Sequence, residues 1–464
     1  MMFGFSQRGS EGRIRPRGYS QAAANDIEDQ NNIVLEDSND IENQNASLED
    51  SRGQELYQVS RMSPMRCIYR APQRLRHKRE EAYTPKLVSI GPLHHGKKDL
   101  LPMEEHKKRY LHDFLGRSRL SLNNYILRIK DKEERLRSYY IDTIKFGSDD
   151  LARIVLVDAA FIIEVLLRCY YNDLVDENDC VYGKPNLLWD LWPDMLLLEN
   201  QLPFFILEEL SQDLELTKRT SMVFLSHYFF VDNLVMAIEG TEEENEEKIR
   251  SHQLEVKHLL DLLRTLLILP IMLKSQDGVL GTYGTSPTMT ELHQAGISFK
   301  VGESRDLLAI QFTDGVLEVP KLTVWDQTEV AMRNIIAFEQ CEFPPEVQYV
   351  SDYVAVLDCF VNTAKDVELL VDCGIVENNL GDSKDVSRLI NSLGSGLMVD
   401  PHHFYYSAIC QNLIDHCNSR WNKRMANLRQ NYFNTPWTTI SVVAASILLV
   451  LTFIQTVSSV ISIA

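Results

Sequence analysis

The last charged residue of the chain is Arg429, and an uncharged segment runs from there to Ala464. Within it, Ile440–Ile463 reads ISVVAASILLVLTFIQTVSSVISI and is almost wholly apolar. A helix needs roughly 20 such residues to cross the hydrocarbon core of a bilayer. The interruptions are Ser441, Ser446, Thr452, Gln455, Thr456, Ser458, Ser459 and Ser462. They leave no polar stripe at helical spacing, so a C-terminal transmembrane helix fits better than a buried core helix. The Ser and Thr hydroxyls among them can bond back to the preceding turn, which lipid tolerates.

Flanking charge sets the expected orientation. Arg420, Lys423, Arg424 and Arg429 precede the span with no acidic residue among them. Basic flanks stay on the cytoplasmic side, and Tyr432, Phe433 and Trp437 stand where an interfacial aromatic belt belongs. Each basic residue gains about 1 kcal/mol near anionic headgroups. A single-pass, tail-anchored protein is expected, its bulk cytosolic and its membrane the plasma membrane or the endoplasmic reticulum. The N-terminus carries Arg8, Arg13, Arg15 and Arg17 without an apolar core, so it is no secretory signal.

Composition narrows the function classes. A formal net charge of −19, from 66 acidic and 47 basic residues, argues against a nucleic-acid partner. The eight cysteines form no CxxC pair, so neither a zinc knuckle nor a thioredoxin-type site is signalled. In a cytosolic body they are expected to be free thiols, mostly buried.

Residues 1–60 read as a disordered acidic arm. It holds a tandem near-repeat, NDIEDQNNIVLEDS followed by NDIENQNASLEDS, with too little apolar surface to offset the entropy of ordering. Residues 61–432 read as a mostly helical domain, with a split into two intimate subdomains near 275–290 as an option. Leu151–Tyr170 is apolar nearly all round and marks a buried helix. Leu188–Leu210 is strongly apolar, and His252–Lys274 reads as a leucine-rich helix interrupted by Pro270. Glu239–Glu247 reads as a charged loop and Ser275–Thr288 as a linker. Thr313-Asp314-Gly315 between Leu307–Phe312 and Val316–Val319 signals a hairpin, and Leu322–Trp325 offers a third strand. Asp326 or Thr328 then caps a helix through Glu339, with further helices at Asp352–Leu370 and Ser383–Leu393. The fold class is therefore mainly α with a small β-hairpin or sheet element, a helical globular body plus one C-terminal transmembrane helix over 438–463.

Several segments weigh as sites. Gly91–Lys98 (GPLHHGKK) matches the start of a phosphate-binding loop, but Lys98 replaces the Mg²⁺-binding hydroxyl and Pro92 removes a backbone donor. His94 and His95, with Glu104, Glu105, His106 and His112, form the richest metal-ligand neighbourhood, without an HExxH spacing; a turn whose imidazoles bond nearby backbone is the plainer reading. Glu199-Asn200-Gln201 interrupts an apolar run just before Pro203, which has no N–H for the carbonyl of Glu199. A kink there would let the trio satisfy that carbonyl, or pair with Asp158 and Glu164 through a basic residue such as Arg333. Buried paired carboxylates can serve acid/base work, although a satisfied structural network is the commoner outcome. No catalytic, cofactor or metal site is assigned.

The motifs Ile68–Pro72, Val88–Gly96, Asp194–Leu207, Thr290–Gly296, Asp314–Pro320, Thr328-Glu329, Arg333–Cys341 and Tyr432–Trp437 together resemble the plant family called domain of unknown function 247. The resemblance covers the chain from about residue 61 onward and departs at Ala71 and Leu93, where Val and an aromatic residue are expected. It implies a membrane-associated plant protein without assigned chemistry, and members in grasses are implicated as self-incompatibility determinants. The expectation is a non-enzymatic, tail-anchored module that interacts with other proteins. The rival readings are a pollen–stigma recognition determinant and an enzyme using the buried carboxylates or the His94/His95 turn.

Overall fold

The computed structural model of the protein describes residues 65–234, 238–273, 286–419 and 436–463. The acidic arm, most of the expected linker and the basic residues before the tail lie outside the described residues. The described residues from Met65 onward belong to one compact unit.

Two buried helices organise that unit. The first is Ser148–Tyr170, with Asp149 and Asp150 in its first turn and Arg168 in its last, each suited to the helix dipole. Nearly every side chain from Leu151 to Cys169 is buried, as its all-round apolar sequence requires. Call it α2; α1 (Leu101–Arg117) packs along it, as do the helices Leu122–Asp131 and Met222–Leu234. Next come α3 (Pro185–Met195) and α4 (Phe204–Ser211), the latter also packed on α2. α5 (Leu259–Met272) touches both Met222–Leu234 and the second organising helix, α6 (Asp326–Glu342). α6 is covered in turn by α7 (Tyr349–Phe360) and by Ser383–Gly394. Among the described residues the fold is mainly helical, with two small sheets.

The sheets follow turn chemistry only in part. β2 (Gln311–Thr313) and β3 (Val316–Val319) pair antiparallel around Asp314 and Gly315. Both turn residues have positive φ, 52° and 78°, as a two-residue type I′ hairpin turn demands. The expected strand from Leu307 is shorter, because it begins only at Gln311. β1 (Ser298–Val301), unmarked in the sequence, adds parallel to β3. β4 (Leu322–Val324) does not join this sheet; it pairs parallel with β5 (Val376–Asn378).

Other local expectations change. Glu239–Glu247 is not a loop: Glu242–Ser251 is helical, because Thr241 and Glu244 form a reciprocal capping box and acidic residues crowd its N-terminus. Asp352–Leu370 is two helices, broken at 361–363 where Thr363 caps Ala364–Asp372. Pro270 lies inside α5 without ending it, because the helix stops within a turn at Met272. Pro203 kinks no helix: α3 ends at Met195 and α4 starts at Phe204, so residues 196–203 are a connecting loop with Pro203 at the N-cap.

The last helix, α8, spans Pro436–Ile463, 28 residues. Its described side chains, within 440–458, are exposed, Leu449 and Phe453 by 72% and 71%. Among the described residues no helix is long and apolar enough to cross a membrane.

Candidate functional site

The α3–α4 loop is lined with polar side chains that have no water to turn to, so each must find a protein partner. Asn200 accepts from the Ile90 N–H at 2.7 Å and donates to the carbonyls of Val88 and Asp194 at 3.0 and 2.9 Å. Gln201 donates to the carbonyls of Met195 and Leu197, which close the C-terminal end of α3. Its own carbonyl accepts from the Tyr140 hydroxyl at 2.9 Å. Asn200 and Gln201 therefore tie down backbone of the loop and of residues 88–90, not the carbonyl of a kinked helix.

Glu199 reaches a different segment. Its carboxylate accepts from the Ala71 N–H at 2.8 Å and from Arg70 Nη1 at 3.0 Å, and it also pairs with Arg76. His94 Nε2 lies 3.6 Å from Glu199 Oε2. The structure thus brings together the polar trio and the His94 turn. His94 is buried, and neither ring nitrogen has a hydrogen-bond partner. Burial, reinforced by the cations of Lys97, Arg70 and Arg76, pushes its pKa down to about 3. It is a neutral imidazole beside a carboxylate already held by two guanidinium groups. His95 points elsewhere, packing edge-on to Phe146.

Asp158 and Glu164 take their own partners rather than Glu199, Asn200 or Gln201. Asp158 accepts from the Gly91 N–H at 2.8 Å and pairs with the fully buried Lys107, which also donates to the Ser89 carbonyl at 2.8 Å. Burial raises the Asp158 carboxyl above its usual range, against the opposing pull of Lys107. Burial would lower Lys107, but the carboxylates of Asp158 and Glu104 outweigh it and hold the ammonium above its ordinary value. Gly91, the supposed first glycine of a phosphate loop, gives its N–H to a carboxylate of the protein itself. Glu164 pairs with Arg168 and, at 3.3 Å, with Arg117.

Arg333 corrects the expectation of a shared base. It donates to Glu329 at 2.8 Å and to Ser392 at 2.8 Å, both on the α6 side of the molecule, and bridges none of Asp158, Glu164 or Glu199. The metal-ligand neighbourhood also disperses along α1: Glu104 pairs with Lys107, Glu105 with Lys108, and His112 is 90% exposed. Among the described residues no group of three or more His, Cys, Asp or Glu is placed to hold a metal ion.

Residues that sequence reasoning missed complete the scaffold. Asp194 accepts from the N–H groups of Lys86, Leu87 and Val88. Burial raises it to about 6 despite those donors. Asn334 of α6 accepts from Leu198 N–H at 2.9 Å and donates to the Ala82 carbonyl at 2.8 Å. Glu339 takes Arg264 Nε at 2.9 Å and the Ser351 N–H at 2.7 Å. Their sequence signals were a place inside apolar runs and inside the motifs Asp194–Leu207 and Arg333–Cys341. Chemically, the ensemble is a set of side-chain clamps joining residues 67–97, the α3–α4 loop, α5 and α6.

A family model described as a plant protein of unknown function, DUF247, matches residues 68–451. UPF0481 protein At3g47200 of Arabidopsis thaliana is 28% identical over 422 residues, covering 85% of this chain and 86% of the relative. Putative UPF0481 protein At3g02645 of the same plant is 23% identical over 486 residues, covering 85% and 90%. No solved structure matches the chain. The clamps are built from the segments whose motifs carried the resemblance, and the match spans most of the sequence: the chain belongs to the DUF247 family of plant proteins.

Proposed function

We propose that this chain is a non-enzymatic protein held to a membrane by its C-terminal helix, with a folded body that binds other proteins. The observation that carries the reading is α8, a 28-residue helix without a charged side chain. Ile447, Leu448, Leu449 and Phe453 on it are each more than half exposed. Soluble proteins rarely leave so large an apolar surface open to water, and lipid would cover it. Arg420, Lys423, Arg424 and Arg429 just ahead favour a cytosolic body. The non-enzymatic part is supported by Asp158 and Glu199, whose buried carboxylates accept from backbone N–H groups and pair with cations.

The test is alkaline carbonate extraction and protease protection of the N-terminally tagged full chain in sealed plant microsomes. Resistance to extraction with digestion of the body is expected. Release by carbonate sinks the anchor, and full protection of the body reverses the orientation.

A further inference from the structure

A groove of about 560 Å³ opens beside the clamps, between residues 79–87, α3 and the first turn of α6. Its walls follow from helical spacing. Trp189 and Pro193 are four residues apart on α3, as are Asp190 and Asp194, so both pairs line one side. Trp189 is 45% exposed and backed by Trp325, ring centroids 6.3 Å apart and 34° from coplanar. An indole braced in this way offers a fixed π face. Pro193 has no N–H, so the carbonyl of Trp189 lacks its usual donor four residues on.

The charges around that face are unequally spent. Asp194 is consumed by the backbone of residues 86–88, and Glu329 is shared between Arg79, at 3.1 Å, and Arg333. Glu81, Asp190 and Asp326 form no ion pair in the described structure, and Lys86 is the unpaired cation set against them. The groove therefore keeps an excess of uncommitted carboxylates next to an exposed indole. A carboxylate takes a guanidinium through paired charge-assisted hydrogen bonds, and an indole face attracts the same planar cation. Lysine satisfies the charge but neither the plane nor the fork.

We infer that the Trp189 groove docks an arginine side chain of a partner protein, the guanidinium stacking on Trp189 and pairing with Asp190 and Asp326. This deepens the reading of the body as a protein-binding module and rests on it.

The experiment is fluorescence anisotropy of a fluorescein-labelled peptide alternating glycine and arginine, titrated with the purified full chain in detergent micelles. Saturable binding is expected that weakens with added salt, falls about tenfold for Trp189→Ala, and falls similarly for Asp190→Asn with Asp326→Asn. Circular dichroism of each variant should match the parent, since these side chains sit at the surface. No saturable binding, equal binding of the citrulline-for-arginine peptide, or undiminished binding by Trp189→Ala overturns the inference. So does tighter binding of spermidine that displaces the peptide, which would make the groove a polyamine site. The readout needs no membrane insertion, so it fails independently of the carbonate and protease test.

Discussion

Lys107 has no accessible side-chain surface, and its charge is balanced by Asp158 and Glu104. A well-paired buried ion pair contributes little net stability, but removing one partner strands the other charge, at a cost of about 3–5 kcal/mol. Lys107→Met should therefore lower the urea midpoint strongly, while Lys107→Met combined with Asp158→Asn should recover much of the loss. Equal loss in both would mean that packing, not charge, dominates there. His94 gives a pH test. Its folded pKa of about 3 lies below the ordinary 6.5, so the native state holds it neutral. That costs nothing above pH 6.5. As pH falls below 6.5 the unfolded chain gains the proton first, and stability drops by about 1.4 kcal/mol per pH unit. Asp194 and Asp261, both raised to about 6 by burial, act in the opposite sense, stabilising the native state as pH falls through 6. His94→Gln should remove only the first effect, so its unfolding free energy should fall less than the parent's between pH 7 and pH 5. Parallel pH curves would show that His94 titrates alike in both states.

Among the elements, the loop from Gly91 to Gly96 shows how one residue type serves two purposes. Gly91 has φ of +69°, and a Cβ there would meet the Gln201 carbonyl at 2.7 Å and the Tyr140 hydroxyl at 3.0 Å. Gly96 has φ of +81° and open space around it. An alanine at either position pays for the left-handed conformation, about 1–2 kcal/mol, but only Gly91→Ala adds a backbone collision. Thermal unfolding should rank Gly91→Ala well below Gly96→Ala; the reverse order would contradict the packing of this loop on residue 201. The glycines were legible as turn formers, but not the reason Gly91 is confined. The close approach belongs to a chain segment far away in sequence. The capping box at Thr241 was legible in principle, since Thr-x-x-Glu stands in the sequence, but the density of charge drew the reading toward a loop.

At the scale of the molecule, Cys67, Cys169, Cys180 and Cys410 are buried while Cys341, Cys359, Cys373 and Cys417 are partly exposed, all free thiols. Burial pushes the Cys410 thiol up to about 12 and raises Cys67 further. Thiolate, not thiol, reacts with alkylating agents, so in the native protein iodoacetamide should label the partly exposed set first. Mass spectrometry should find Cys67 and Cys410 unmodified until urea opens the whole unit. Early labelling of Cys67 would show that residues 67–72 detach locally, with Glu199 losing its clasp.

The sequence alone determined what depends on neighbours along the chain. The all-round apolar run became α2, the Asp-Gly pair became a type I′ hairpin, and Pro436–Ile463 of the uncharged C-terminal stretch became a single helix. Periodicity and turn chemistry act over a few residues, so they can be read without the fold. Tertiary structure alone decided which partners the buried polar groups take. Glu199 is clasped by residues 70–76, more than a hundred positions earlier, Asn334 caps the loop at Leu198, and β4 finds β5 rather than the adjacent hairpin. A buried charge or amide must be satisfied by whatever packing brings within about 3 Å, and that proximity is set by the whole core, not by any local pattern of residues.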